Sequence, residues 1–140
     1  VTPERLHADL AGPINPKSLG GASYFLLLKD EYSGYKLVKF LKSKTEVLEK
    51  IKTVAGEATL ATHSRVICLG TDNGSEFRNE ATQFYLGAEG IVHELSAPLT
   101  QQQNGEAERA NRTIIETARS ILQASKLPLK LWAGAINAAV

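Results

Sequence analysis

The chain has 140 residues, 43% of them hydrophobic and 22% charged, which is enough for one compact domain with a real core and too little for two. Sixteen basic and fifteen acidic residues leave a net charge of +1, so contact with nucleic acid has to come from a local patch and not from bulk charge. A single cysteine, Cys68, excludes an internal disulfide, the three histidines lack the cysteine spacing of a structural zinc site, and no apolar run reaches the length of a membrane span.

In chain order, RLHADL (residues 5–10) alternates and stops at Gly12-Pro13, a strand followed by a break. The Pro- and Gly-containing stretch 14–21 reads as a loop. ASYFLLLKD (22–30) is a central strand, EYSG a turn, and YKLVKFLKS (35–43) a third strand, so 22–43 forms a hairpin. From Lys44 to about Ala61, Val47, Leu48, Ile51, Val54 and Ala55 fall at helical spacing. SRVICLG (64–70) is the fourth strand, with Cys68 as a small buried hydrophobe suited to a reducing compartment. Residues 79–90 form a helix closed by Gly90, and 91–97 a short fifth strand. PLTQQQN reads as a polar loop, a long helix runs from about Asn104 to Ser125, and Pro128 opens a last helix containing Trp132. The order βββαβαβαα predicts an α/β fold, a five-stranded mixed sheet with helices on its faces. The missing methionine and the helical pattern at the last residues lead us to expect a domain of a longer protein.

Acidic residues stand where strands end. Asp9 closes the first strand, and Asp72 follows the fourth in TDNGSEF, where Asn73 and Gly74 would make the turn that presents it. Each alone is adequately explained as a turn or cap. At the start of the long helix Glu106 and Glu108 compete for a third place. At about 100° per residue, with Ala107 at zero, Ala110, Ile114, Ala118, Ile121 and Leu122 form an apolar stripe. Glu108 then borders the stripe on the same flank as Arg112 and Arg119, and Glu106 lies on the opposite flank. Three converging carboxylates repel without a counter-charge. A hard divalent cation such as Mg²⁺, or a pair supporting displacement at phosphorus, resolves this.

Six blocks, HADLAGP, KDEYS, TDNGSEF, GIVHELSAP, QQQNGEAERANRT and LPLKLW, resemble in sequence and order the integrases of copia-type long-terminal-repeat retrotransposons over nearly the whole chain. The resemblance implies an RNase H-like catalytic core with a D,D-35-E triad. Thirty-five residues separate Asp72 from Glu108, an interval Glu106 does not keep, and Asp9 matches the first acid. It further implies polynucleotidyl transfer with two Mg²⁺ or Mn²⁺ ions held by Asp9, Asp72 and Glu108. The implied partners are retrotransposon DNA ends and target DNA, in a homo-oligomer with no membrane role. The implied locations are the nucleus and, before import, a cytoplasmic virus-like particle. Residues 1–140 would then be the catalytic core, without the zinc-binding and C-terminal domains such integrases carry. The chain departs from the family pattern at Ser75, Gly87, Gln101 and Glu106, none of them in the triad.

Arg109, Arg112 and Arg119 could contact phosphates or simply form a solvated flank, with Glu116 as ion-pair partner of Arg112. Gln101, Gln102, Gln103 and Asn104 could meet DNA from a loop hinged at Gly105, or be no more than a polar loop. Gln103, Asn104, Arg109 and Arg112 are the expected DNA contacts. His93 reads as a half-buried strand residue, Asp30 as a turn residue, and Trp132 and Tyr24 as core. Two rivals stay open: a domesticated copy that binds DNA or dimerises without catalysis, and a nuclease of the same fold acting on RNA–DNA hybrids.

Overall fold

The computed structural model describes residues 5–62, 65–72, 74–95 and 101–140, with side chains described for all of these except 61–62 and 101–108. The strands are β1 (Arg5–Ala11), β2 (Tyr24–Asp30), β3 (Lys36–Leu41), β4 (Cys68–Thr71) and β5 (Val92–Leu95). The helices are α1 (Val47–Thr62), α2 (Ser75–Arg78), α3 (Glu80–Ala88), α4 (Gln101–Ser125) and α5 (Trp132–Ala139). The five strands form one sheet in the order β3-β2-β1-β4-β5, antiparallel through β3, β2 and β1 and parallel from β1 through β4 to β5. This is the mixed α/β sheet that the sequence pattern predicts, with the RNase H-like architecture that the family resemblance implies.

The period-two alternation of strands divides the core into two layers. Leu6 and Ala8 of β1 and Leu26 and Leu28 of β2 pack with Val47, Ile51 and Val54 of α1, and with Leu69, Phe77 and Leu86. Phe25 and Leu27 of β2 point the other way, onto Ala110, Ile114, Ala118 and Leu122 of α4 and Trp132 and Ile136 of α5. β2 is therefore apolar on both faces, which explains its unbroken Phe-Leu-Leu-Leu run. Truncating Phe25, which is fully buried, should cost about 3–5 kcal/mol.

Local signals fix the ends. Ser43 and Glu46 form a capping box ahead of α1: Thr45 N–H donates to Ser43 Oγ, and Ser43 N–H to Glu46 Oε2 at 2.8 Å. Asn79 caps α3 by accepting from Thr82 N–H at 2.9 Å. Gly12, at φ +131°, turns the chain after β1 where an added Cβ would lie 2.6 Å from Ser23 O, so glycine is required there. Trp132 Nε1–H donates to Pro16 O at 2.8 Å and its ring meets Phe40 edge-on, tying the loop after β1 to α5.

The sequence reading needs three corrections. Residues 101–104 are helical and not loop, with Gly105 inside α4 rather than at a hinge; glutamine is a good helix former, and that propensity outweighs the polar character of the run. A one-turn helix, α2, follows the Asp-Asn-Gly turn, anchored by the fully buried Phe77. Asp9 sits two residues inside β1 and not at its end. Asp30 is the turn residue expected: its Oδ2 accepts from Ser33 N–H at 2.9 Å and its carbonyl from Gly34 N–H. Cys68 is buried, and loss of solvation pushes its thiol up to about 11, so it is inert at neutral pH. Trp132 is core, while Tyr24 is only half-buried, packed against the layer under α1.

Candidate active site

Pairing of β1 with β4 brings the first two acids to neighbouring chain positions. The parallel register runs Arg5–Cys68, Leu6–Leu69, His7–Gly70. Two residues further along each strand come Asp9 and Asp72. Asp9 shares its parity with Ala11 and pairs with Leu27, and both of those residues belong to the layer under α4. The two carboxyl-bearing positions thus lie at the same end of adjacent parallel strands, where α/β sheets commonly hold ligands.

Each acid is held. Asp72 Oδ1 accepts the Gly74 N–H at 2.8 Å, an Asx turn that fixes the carboxylate against its own loop. Asp9 Oδ2 accepts from Asn111 Nδ2 of α4. Asn111 is 6% exposed, and its Oδ1 is a buried oxygen with no hydrogen-bond partner among the described residues. The side chain therefore spends its donor on Asp9 and leaves its acceptor buried.

The sequence reading missed Asn111, although a signal existed. On the helical wheel it falls about 40° from Ala107, inside the apolar stripe, and a polar residue there needs a partner. The rest of the stripe is as expected: Ala110, Ile114, Ala118 and Leu122 are buried, and Arg109, Arg112 and Arg119 are exposed. Position 108 precedes Asn111 by three residues, one turn of α4. The side chains of Glu108, Glu106, Gln103 and Asn104 lie outside the described residues, as does Asn73. Among the described residues no three histidine, cysteine or carboxylate side chains come close enough to hold a metal ion.

A second set of contacts reaches Asp72 from the opposite face. Thr71 Oγ1 donates to the Asp72 carbonyl at 2.8 Å and lies 2.7 Å from His93 Nε2, while His93 Nδ1 lies 2.8 Å from Gln83 Nε2. Burial, and secondarily the charge of Arg78, lowers the pKa of His93, so its ring is neutral. Farther from the acids, Arg5 bonds Glu94 at 2.5 Å and Glu31 at 3.0 Å, linking β1 to β5 and to the turn after β2. Its bond to Arg5 holds the Glu94 carboxyl below the usual carboxylate range. This exposed network ties strands together and adds little stability.

No protein-family model matches the chain. Over 134 residues, 96% of its length, the chain is 36% identical to the retrovirus-related Pol polyprotein from transposon TNT 1-94 of Nicotiana tabacum. It is 31% identical, over 94% of its length, to the Gag-Pol polyproteins of the transposons Ty1-NL2 and Ty1-LR3 of Saccharomyces cerevisiae. The chain is a Pol-derived domain of the copia-type retrotransposon family. It spans 10% of the length of the tobacco polyprotein and 8% of that of the yeast ones. Membership in the copia-type family agrees with the resemblance carried by the six sequence blocks.

Proposed function

We propose that this Pol-derived domain is the catalytic core of an integrase, joining retrotransposon DNA ends to target DNA. The observation that carries the proposal is that Asp9 and Asp72 each lie two residues beyond the His7–Gly70 pair of the parallel strands β1 and β4, with Asn111 of α4 bonded to Asp9. The bond from Asn111 to Asp9 favours Glu108, one turn earlier on α4, as the third acid.

The donor chemistry fits a hard divalent cation. Asp9, Asp72 and Glu108 offer carboxylate oxygens, and Asn111 Oδ1, without a hydrogen-bond partner among the described residues, is a neutral oxygen on the side chain bonded to Asp9. These three carboxylates would hold two Mg²⁺ or Mn²⁺ ions, which when bound supply activation of the attacking hydroxyl and stabilisation of the leaving oxygen. The chain's own part is positioning. Asn111 fixes the Asp9 carboxylate through its amide donor, and the Gly74 amide fixes that of Asp72. The exposed Arg109 and Arg112, one to four residues beyond Glu108 on α4, bind phosphates of the DNA backbone, joined by Gln103 and Asn104. On this reading the domain works as a homo-oligomer on nuclear DNA after assembly in a cytoplasmic particle.

The test is Mn²⁺-dependent joining of an oligonucleotide end to a target duplex, or the reverse reaction on a branched substrate, run beside cleavage of an RNA–DNA hybrid. Joining or its reversal without hybrid cleavage supports the integrase. Hybrid cleavage alone supports a nuclease of the same fold, and metal-independent DNA binding with neither reaction supports a domesticated copy.

A further inference from the structure

The site is built from both faces of the sheet, and only one face contains α4. Leu69 pairs with His93, and Thr71 with Leu95, so Thr71 and His93 project from neighbouring strands on the side packed by α3. There they meet Gln83 of α3. The three side chains make a directional chain of hydrogen bonds that ends on the main chain of Asp72.

We infer that His93 is a positioning residue: with Gln83 behind it and Thr71 in front, it holds the Asp72 carbonyl and so sets the carboxylate's approach from the sheet's far face. The inference deepens the integrase reading and rests on it for the role of Asp72. Donor and acceptor roles are fixed by elimination. Thr71 has one hydroxyl proton, and the 2.8 Å bond to the Asp72 carbonyl uses it, because a carbonyl can only accept. Thr71 Oγ1 must then accept at 2.7 Å from His93 Nε2, which carries the ring proton. His93 Nδ1 is left as an acceptor and takes the Gln83 amide proton at 2.8 Å. Gln83 is itself anchored, since its Nε2 also lies 3.3 Å from the Phe77 carbonyl of α2. Every donor has an acceptor, and the chain runs from the buried α2 turn to the catalytic loop.

Thr71 is 2% exposed, and a hydroxyl at that depth must be bonded. A hydroxyl that accepts from a fixed imidazole has its proton directed at the Asp72 carbonyl. Loss of the His93 donor removes one of the bonds that orient this hydroxyl, and the turn that carries Asp72 loses that constraint while the core beneath it is untouched.

Two substitutions separate this role from plain packing. His93→Gln retains a donor nitrogen where Nε2 stands and can still reach Thr71. His93→Asn retains a polar atom where Nδ1 stands and can still accept from Gln83, but falls short of Thr71. The first measurement is amide hydrogen exchange of Gly74, whose N–H bonds Asp72 Oδ1, in the 140-residue chain without metal or DNA. We expect exchange about five- to tenfold faster in His93→Asn and in Thr71→Val, and near that of the unaltered chain in His93→Gln. Amides in the middle of β1 and β2 should not change. The second measurement is the oligonucleotide-joining rate at saturating DNA, which should follow the same order. Equal Gly74 exchange in His93→Asn and His93→Gln, or acceleration spread evenly over β1 and β2, would overturn the inference. Because exchange is read without metal or DNA, this result is separate from any failure of the integrase reading, which would appear as absent joining in the unaltered chain.

Discussion

Replacing Asn111 by Asp puts a second carboxyl where a donor now meets Asp9. The side chain is 6% exposed, so the change swaps a charge-assisted hydrogen bond for a repulsion in a poorly solvated place. Two unit charges ~4 Å apart at an effective dielectric of ~20 repel by about 4 kcal/mol. Asp9 is half-buried, and screening takes that toward about 3 kcal/mol. For a domain of this size the thermal midpoint at pH 7 should fall by about 10 °C. The sign with pH follows from linkage. The repulsion raises the folded pKa of the new carboxyl above its unfolded value, so the deficit shrinks as pH falls from 7 toward the carboxylate range and the new group is protonated. Millimolar Mn²⁺ should also narrow it, by neutralising the acids. Asn111→Leu is the control: it removes the donor but also the orphaned Oδ1, two effects that offset to within about 1 kcal/mol. Thermal melts at pH 5 and 7, with and without Mn²⁺, make the measurement. An Asn111→Asp midpoint equal to that of the unaltered chain at pH 7, with no response to pH, would refute the contact with Asp9 and with it the approach of α4 to the site.

His93 has its pKa lowered by burial, so it contributes stability that is complete above the unfolded value of about 6.5 and lost as pH falls through its lower folded value; urea midpoints between pH 5 and 8 should show this loss in the unaltered chain and not in His93→Gln. Trp132→Phe keeps the ring packing against Phe40 but gives up the bond to Pro16 O, and should cost about 1 kcal/mol in the same assay. Arg112→Ala should weaken DNA binding and lower the slope of log affinity against log salt by about one phosphate contact; an unchanged slope would return Arg112 to a solvated flank.

The layer architecture was legible because two periods are written plainly. Phe25 to Leu28 is apolar at every position, as a strand covered on both faces must be, and Ala110, Ile114, Ala118 and Leu122 recur at helical spacing. Asp9 and Asp72 could be nominated as acids near the ends of strands, whereas the interval that selects Glu108 came from the family resemblance and not from any period in the chain. Polar side chains that act through another residue were not legible. Asn111 looked like one more member of a charged helix, and only its angle on the apolar stripe distinguishes it. His93 alternates correctly in β5, and nothing in that pattern tells which partner lies across the sheet; its relay joins residues 71, 83 and 93 from three elements. The start of α4 was misread because a polar run satisfies both a loop and a helix N-terminus, and propensity decides only weakly between them.

The measurement that bears most directly on the triad compares Glu108→Gln with Glu106→Gln in Mn²⁺-dependent joining of an oligonucleotide end, or its reversal. The two residues share one helix and one chemistry, and the replacements preserve shape while removing one charge each. Glu108→Gln should abolish joining with the fold intact, as far-ultraviolet circular dichroism and the thermal midpoint would report, and Glu106→Gln should retain it. Full activity in Glu108→Gln together with its loss in Glu106→Gln would contradict both the assignment of the third acid and the phase of α4.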